Sequence, residues 1–505
     1  MEKKTKVNPS DPAIIIGGMG VRISTWLMAR IVAMTGNMGV VSGTGLEIIY
    51  PRILQDGDKG GHVRRAFKEL ARRQPALAQS VFDLYDKYYI EGGKAANKPY
   101  KAVPVWRLDR LDEKDGANSF WEPPKELQLL AIASNFAEVW LAKEGHKGAV
   151  GINFLRKVER PLLWTLYGAI LADVDYVVVG AGNPSHLPGM IRLLCKHKDA
   201  VLPLKVYGTN SKSGEFFAKL RPSTLLGNSP AQVSCPKFLA IVSSLTLADA
   251  LYSNPETRPY GFVIEFPEAG GHNAAPAKMK FDSQGQAVMV YTESDRADVP
   301  DIKALGLPFW LAGSYGSANS LSRAMEMGAA GIQVGTIAAL CGQSGMDPKL
   351  RSKVLRLLKE NKLKVGNTMF SPAGFPFKVA QVPGTVSDKA AREGRKRICD
   401  ICLLQATYLL PDGSLGYRCP GEDVKAFVAK GGRAQNTKGR ICLCNALFST
   451  AGFPQVQEGG YVEPPIVTLG ENTGSALELL KKLSPGQETY TISKVIHYLR
   501  GGYKR

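Results

Sequence analysis

The chain has 505 residues, more than one compact core usually holds, so we expect two or more domains. With 44% hydrophobic and 22% charged residues, the composition is typical of a globular protein. The longest apolar runs have the length of a β-strand, which excludes a membrane-spanning helix of roughly 20 residues. No apolar signal-peptide core follows the basic N-terminus, so the expected location is the cytoplasm.

The formal net charge is +19, which favours acidic partners such as nucleic acid, an anionic membrane surface or an acidic carrier protein. The excess is uneven, because residues 351–400 hold 12 Lys or Arg and only 4 Asp or Glu. A solvated basic face is the ordinary alternative explanation of such a run.

Along the chain, short apolar stretches alternate with segments of helical spacing. Residues 13–45 are predicted to form a strand, a glycine-rich turn, a helix capped by Ser24 and a second strand. The predicted strands are 13–16, 38–42, 149–154, 176–179, 202–207, 238–243, 261–266, 308–312 and 331–335. The predicted helices include 24–34, 160–171, 317–327 and 475–483.

Strands that alternate with helices predict a parallel sheet. Glycine, asparagine and histidine follow several of the apolar strands, at the end where a barrel carries its active site. We therefore predict an α/β fold: a TIM-like (β/α)8 barrel with insertions, followed by a small C-terminal cysteine-rich module. The predicted parts are the start of the barrel (1–45), an insertion (46–145), the remainder of the barrel (146–345, with a loop-rich insertion near 208–237), a basic helical connector (346–395) and the module (396–505).

Three glycine-rich strand ends carry the first chemical signal, at residues 17–20, 311–316 and 333–336. Glycine lets an aromatic ring system approach backbone amides, and loop amides that precede a helix attract phosphate. Two such loops on consecutive late strands match the usual phosphate site of a barrel. Any tight turn also uses glycine, so each loop alone is equally well explained by structure.

The segment Glu268-Ala-Gly-Gly-His272 carries the second signal, because a strand runs directly into a carboxylate, two glycines and a histidine. A neutral imidazole at a strand end can take a proton from carbon or orient a substrate oxygen. We therefore predict His272 as the catalytic residue, with a structural histidine as the alternative.

Taken in order, these blocks resemble the nitronate monooxygenases and the related flavin-dependent enoyl-acyl-carrier-protein reductases. The resemblance rests on GGMGVRIS, GNMGVVSGTG, GINF, VVVGAGNPS, EAGGHN and LPFWLAGSYGSANSLSRAMEMGAAGIQVGT, within residues 13–345. It implies a TIM-like barrel that binds FMN non-covalently, with His272 beside the flavin as the base. It also implies cofactor-binding roles for Gly18, Met19, Gly20, Asn153, Gly182, Glu268, Gly270, Gly271, Gly313, Ser314, Gln333, Gly335 and Thr336.

The sequence departs from the family pattern in two places near this site. Ser314 and Tyr315 stand where the phosphate loop commonly has glycine and isoleucine, which still allows phosphate binding through backbone amides. Residues 273–276 replace the usual glycine-containing continuation after the histidine. The second departure changes the substrate side and leaves the specificity for nitronate open.

Five of the eight cysteines cluster near the C-terminus, which in a chain expected in the cytoplasm indicates a metal rather than disulfides. Their spacing opens with a chelating Cys-x2-Cys, and four thiolates complete either a structural zinc site or an iron–sulfur cluster such as [4Fe-4S]. The predicted ligands are Cys399, Cys402, Cys419, Cys442 and Cys444, one more than four. Zinc, iron–sulfur and no metal all stay open.

Three functions fit these observations. The first is an FMN oxidoreductase acting on a small carbon acid such as an alkyl nitronate, with O₂ as oxidant. The second is an NAD(P)H-dependent enoyl reductase whose substrate rides on an acidic acyl carrier protein, to which the positive charge is complementary. The third is a flavin or metal protein that acts on RNA, although no recognised RNA-binding motif is present.

Overall fold

The computed structural model describes residues 8–108, 113–210, 214–227, 230–272, 276, 280–281 and 287–502. Its centre is a closed barrel of eight parallel strands, which confirms the predicted fold class. In chain order these strands are β1 Ile14–Ile16, β2 Met38–Ser42, β3 Val150–Leu155, β4 Tyr176–Gly180, β5 Lys237–Val242, β6 Gly261–Glu265, β7 Phe309–Ala312 and β8 Gly331–Val334.

Each strand of the barrel pairs with its neighbour in the sequence, and β8 closes the ring on β1, where Ile14 is opposite Ile332. Alternate strand residues belong to two separate apolar clusters, as the two-residue period of a strand requires. Ile15, Val178 and Val263 belong to the smaller cluster, which fills the barrel interior. Their sequence neighbours pack outwards under the helices.

The barrel is surrounded by helices, of which Lys125–Lys143 packs along Leu162–Leu171. The other α-helices are Trp26–Met34, Leu46–Gln55, His62–Arg73, Ala78–Tyr88, Leu187–Leu194, Pro222–Leu226, Leu245–Ser253, Val299–Ala304, Ser320–Glu326, Thr336–Ala339, Pro348–Lys359, Lys389–Glu393, Val424–Ala429, Cys444–Thr450, Gly474–Lys481 and Ile492–Leu499. Within the described part of the chain, no helix has the length and apolar character to span a bilayer.

The stretch predicted as a barrel strand at 202–207 is extended but lies outside the barrel. Ala200–Leu204 joins a four-stranded sheet with Glu113–Asp115, Asn118–Trp121 and Phe216–Leu220. This outer sheet brings together segments from the two predicted insertions, because Asn118–Trp121 pairs with Phe216–Leu220.

The remaining strands form small sheets beyond the barrel. The region predicted to be a helical connector contains a helix and then a hairpin of Val365–Phe370 and Pro376–Ala380. The other strands are Val206–Tyr207, Lys280–Phe281, Ala287–Val288, Ala406–Leu409 and Leu415–Arg418. Apolar side chains from 401–499 join the same cluster as the barrel helices, so this region packs on the barrel. The predicted domain boundaries themselves stay a prediction.

Candidate functional site

A cavity of about 280 Å³ opens at the carboxyl ends of the barrel strands, close to the lower end of the range for small-molecule sites. The glycine turn after β1, the ends of β3, β6, β7 and β8, and segments from the C-terminal region form its wall. The predicted site residues that line it are Gly18, Met19, Gly20, Asn153, Glu268, Gly270, Gly271, His272, Gly313, Ser314, Gln333, Gly335 and Thr336. Gly182 lies outside this set and faces the Arg156 side chain.

The turn after β1 is held in place by Ser24. Its hydroxyl donates to the Gly17 carbonyl at 2.9 Å and accepts from the Met19 amide at 2.9 Å. The predicted N-cap role belongs instead to Thr25, whose hydroxyl accepts from the Met28 amide. Ser24 therefore stabilises the turn, and the N-cap of the helix lies one residue later than predicted.

Gly18 and Asn153 meet across the cavity wall. A Cβ on Gly18 would lie 2.2 Å from the Cβ of Asn153, so glycine is required for this close approach. The amide nitrogen of Asn153 donates to the Val178 carbonyl at 3.1 Å, which fixes the side chain between β3 and β4. The structure thus places these two predicted residues side by side.

Two late loops bring the predicted phosphate residues together. Gly313 has φ +88° and Ser314 has φ +64°, so the backbone of this loop is left-handed. A Cβ on Gly313 would also lie 2.8 Å from the Phe266 carbonyl oxygen. Tyr315 turns aside to stack on Phe266, with ring centroids 5.9 Å apart. The residue that departs from the family pattern therefore packs against Phe266, although it also lines the cavity.

The C-terminal region supplies a part of the site that the sequence had not indicated. Thr468, Leu469 and Gly470 line the cavity, and the Gly470 amide donates to the Thr336 hydroxyl at 2.8 Å. A Cβ on Gly270 would lie 2.7 Å from the Gly470 nitrogen. Residues 468–470, which we call the C-terminal strap, therefore lie directly against two of the predicted cofactor loops.

His272 is held between aromatic side chains of the hairpin. It forms a β-bridge with Phe377, and the ring centroids of His272 and Phe377 are 4.7 Å apart. Phe375 contacts the imidazole edge-on at 6.2 Å. Burial first, and then the neighbouring charge of Lys157, lower the pKa of His272 well below its usual range. The imidazole is consequently neutral near pH 7.

Glu265 lines the cavity, and Lys378 lies close to Glu265. Burial raises the pKa of Glu265 to about 7, and the nearby Lys378 opposes this shift. The Lys378 ammonium lies 2.9 Å from a carboxylate oxygen of Glu471 and donates to the Pro267 carbonyl. Burial nevertheless lowers the pKa of Lys378. Burial thus disfavours the charged form of both side chains.

Several buried polar atoms of the wall have no hydrogen-bond partner among the described residues. They are Lys157 Nζ, Glu268 Oε2, His272 Nε2, Gln333 Oε1 and Thr468 Oγ1. Buried polar groups are normally hydrogen-bonded, so such a concentration around one cavity indicates a polar ligand. The other oxygen of Glu268 is paired with Arg296. Residues 273–275, where the sequence departs from the family pattern, lie outside the described residues.

The five clustered cysteines also come together in the structure. Cys399, Cys419, Cys442 and Cys444 line a small cavity of about 10 Å³, and Cys444 also lines the large one. Cys402 interacts with Cys399, which lowers the pKa of the Cys402 thiol, and an Arg107 nitrogen lies 3.8 Å from its sulfur. Among the described residues, no three His, Cys, Asp or Glu side chains have a metal-binding arrangement.

No protein-family model matches the chain, and no curated protein matches it either. Among solved structures, FabK from Thermotoga maritima is 14% identical, with 97% of this chain and 91% of that chain covered and a TM-score of 0.45. A nitroalkane oxidase from Streptomyces ansochromogenes is 12% identical, with 98% and 96% covered and a TM-score of 0.39.

The enoyl reductase domain of MlnA from Bacillus amyloliquefaciens is 13% identical, with 75% of this chain and 66% of that chain covered and a TM-score of 0.35. Similarities at this level carry no argument about this chain. The barrel is assigned from the pairing of its strands, and the candidate site is assigned from the residues that line the cavity.

Proposed function

We propose that the chain is an FMN-dependent oxidoreductase of a small carbon acid, similar to the nitronate monooxygenases, with His272 as the base. The observation that carries the proposal is the buried imidazole, whose Nε2 has no partner in the described structure and lines the cavity. The predicted flavin residues apart from Gly182 surround the same space.

The residues of the cavity fit FMN in their chemistry. Gly18, Gly20, Gly270 and Gly271 line the cavity without side chains, so a ring system could approach their backbone closely. Met19 lines the same cavity. The left-handed Gly313–Ser314 loop and the loop at Gly335–Thr336 would hold the phosphate through backbone amides. The unpartnered Gln333 Oε1 would accept a hydrogen bond from a ring nitrogen. FMN, when bound, supplies an acceptor for the electrons of the substrate.

His272 performs the proton transfer in this proposal. Its neutral imidazole accepts a proton at Nε2 from the substrate carbon, and its lowered pKa keeps that nitrogen unprotonated at neutral pH. Phe375 and Phe377 fix the ring plane and exclude water from that side of the cavity. A low pKa makes the imidazole a weaker base. Proton transfer to His272 therefore depends on the close positioning of the substrate carbon as well as on basicity.

The experiment is anaerobic mixing of the FMN-loaded protein with a neutral nitroalkane, the carbon acid whose conjugate base is an alkyl nitronate, while the flavin absorbance is followed. Bleaching by the nitroalkane supports the proposal, and an unchanged oxidised spectrum contradicts it. Bleaching by NADH or NADPH alone would instead favour an enoyl reductase, for which the net charge of +19 suits an acidic acyl carrier protein. RNA that copurifies and is lost at high salt would favour the RNA-acting alternative.

We further propose that the cysteine cluster binds either zinc or an iron–sulfur cluster. The support is the convergence of four of the five cysteines on one small cavity, with Cys402 beside Cys399. Metal analysis of the purified protein distinguishes the two, because zinc is colourless and an iron–sulfur cluster absorbs visible light. A protein free of zinc and iron would contradict the proposal.

A further inference from the structure

Among the described residues that line the cavity, Lys157 is the one basic side chain that the proposed function does not use. It lies in the loop that follows β3, and its Nζ is buried with no hydrogen-bond partner in the described part of the chain. The ammonium lies over the ring of Phe375, 4.7 Å from the ring centroid. The same ring contacts His272 edge-on, so Lys157 and His272 share one aromatic wall.

The carboxylates near Lys157 are engaged elsewhere. On its own loop, Glu159 pairs with Arg156 at 3.1 Å and accepts from the Lys205 amide at 2.7 Å. Across the cavity, Glu268 is paired with Arg296. The ammonium of Lys157 is therefore left without an anionic partner from the described chain.

The carboxyl groups of Glu265 and Glu471 do not supply one either. Glu471 pairs with Lys378 at 2.9 Å, and the raised pKa of Glu265, about 7, keeps a large fraction of this carboxyl protonated at neutral pH. The facing imidazole of His272 is neutral and provides no negative charge. Among the described residues, the groups packed around Lys157 thus leave one negative charge unsupplied, which an anionic ligand would provide.

An unpaired ammonium in such a place is costly, because burial removes the hydration of the charge. Burial accordingly lowers the pKa of Lys157 well below its usual range. An anionic oxygen beside Nζ would restore the charged form, since an opposite charge at hydrogen-bond distance favours it. Binding of an anion and uptake of a proton by Lys157 are then coupled.

We propose that Lys157 binds the anionic oxygen of the substrate, beside the carbon from which His272 takes the proton. The substrate class that fits is a small carbon acid whose conjugate anion carries its charge on oxygen, as a nitronate or an enolate does. This inference rests on the proposed function for the reacting carbon, whereas the anion site itself is defined by Lys157 and the cavity.

Acetate is a suitable probe, because it carries a charge on oxygen and has a neutral counterpart of the same shape in acetamide. Calorimetric titration of the purified protein, with the FMN it retains, is expected to show acetate binding at least about tenfold tighter than acetamide binding. Acetate affinity should fall as the pH rises, because the neutral amine of Lys157 does not attract the anion. The measured binding enthalpy should differ between buffers of different ionisation enthalpy, because the protein takes up a proton from the buffer when acetate binds.

Two substitutions of Lys157 and one control make the assignment specific. Lys157→Met removes the charge at similar length and should weaken acetate binding at least about tenfold, whereas Lys359→Met on the exposed face of Pro348–Lys359 should leave it unchanged. Lys157→Arg should retain acetate with a weaker pH dependence and less proton uptake, because the guanidinium stays protonated and only the titration of Glu265 remains. Proton uptake that is undiminished in the arginine variant would assign the titration to another group and overturn the proposal.

The outcomes also separate this inference from the proposed function. Acetate binding that depends on Lys157 in a protein that never binds FMN would support the anion site and refute the redox function. An FMN-loaded protein whose acetate affinity is the same in wild type and Lys157→Met would overturn the anion site alone.

Discussion

Glu47 is a fully buried carboxyl group, so its titration tests how the chain packs beside the barrel. Its side chain is fully buried near the start of Leu46–Gln55. One oxygen accepts from Trp106 Nε1 at 2.8 Å, and the other has no partner within the described residues. Burial raises the pKa of Glu47 from 4.5 to about 7, against the opposing effect of that hydrogen bond.

The shift determines how stability depends on pH. The unfolded chain loses the Glu47 proton near pH 4.5, whereas the folded chain keeps it until about pH 7. Between these values the unfolded state binds fewer protons, so the free energy of unfolding falls as the pH rises. At roughly 1.4 kcal/mol per pKa unit, the loss above pH 7 amounts to about 3 kcal/mol. Glu47→Gln retains an oxygen for Trp106 and removes this dependence.

Urea unfolding of wild type and Glu47→Gln at pH 5 and pH 8.5 measures the effect. From pH 5 to pH 8.5, the free energy of unfolding of the variant should rise by about 3 kcal/mol relative to that of wild type. Glu458→Gln, at an exposed position, is the matched control and should show no such gain. If the free energies of unfolding of Glu47→Gln and wild type differ by the same amount at both pH values, burial does not raise the pKa of Glu47 as described.

Three further predictions concern the site and the cysteines. His272→Ala should keep FMN but lose at least about tenfold in turnover, and unimpaired turnover would contradict its role. Gly270→Ala should push the C-terminal strap away from the site. The free energy of unfolding should then fall by about 1–3 kcal/mol, and FMN binding, measured by fluorescence titration, should weaken. A variant with unchanged stability and FMN affinity would show that the strap is not tightly packed. Cys399→Ser with Cys402→Ser should release metal, and unchanged metal content would exclude both as ligands.

The barrel strands could be predicted because a buried parallel strand is a short, nearly continuous apolar run. The stretch at 202–207 has the same local character, yet Ala200–Leu204 pairs in the outer sheet. Local sequence does not say which sheet a strand enters, because that depends on long-range pairing. The cap at Thr25 differs from the prediction for a similar reason, since Ser24 is engaged by the turn at Gly17.

That the residues at the strand ends meet around one cavity could be predicted, because the barrel brings all carboxyl ends of its strands to one face. The strap at Thr468–Gly470 could not, because its position depends on how residues far along the chain pack back onto the barrel. The tripeptide Thr468-Leu-Gly470 is too common in sequences to indicate a binding site. Lys157 was missed because its sequence context, Arg-Lys-Val-Glu-Arg, has the appearance of a solvated loop.

The central claim is that the cavity at the barrel mouth binds FMN, and titration of the purified, FMN-free protein with FMN tests it most directly. Flavin fluorescence should change with increasing protein until about one FMN is bound per chain, as expected for one cofactor site per barrel. Flavin fluorescence that stays unchanged at excess protein, while the protein still unfolds cooperatively on heating, would contradict the assignment of the site.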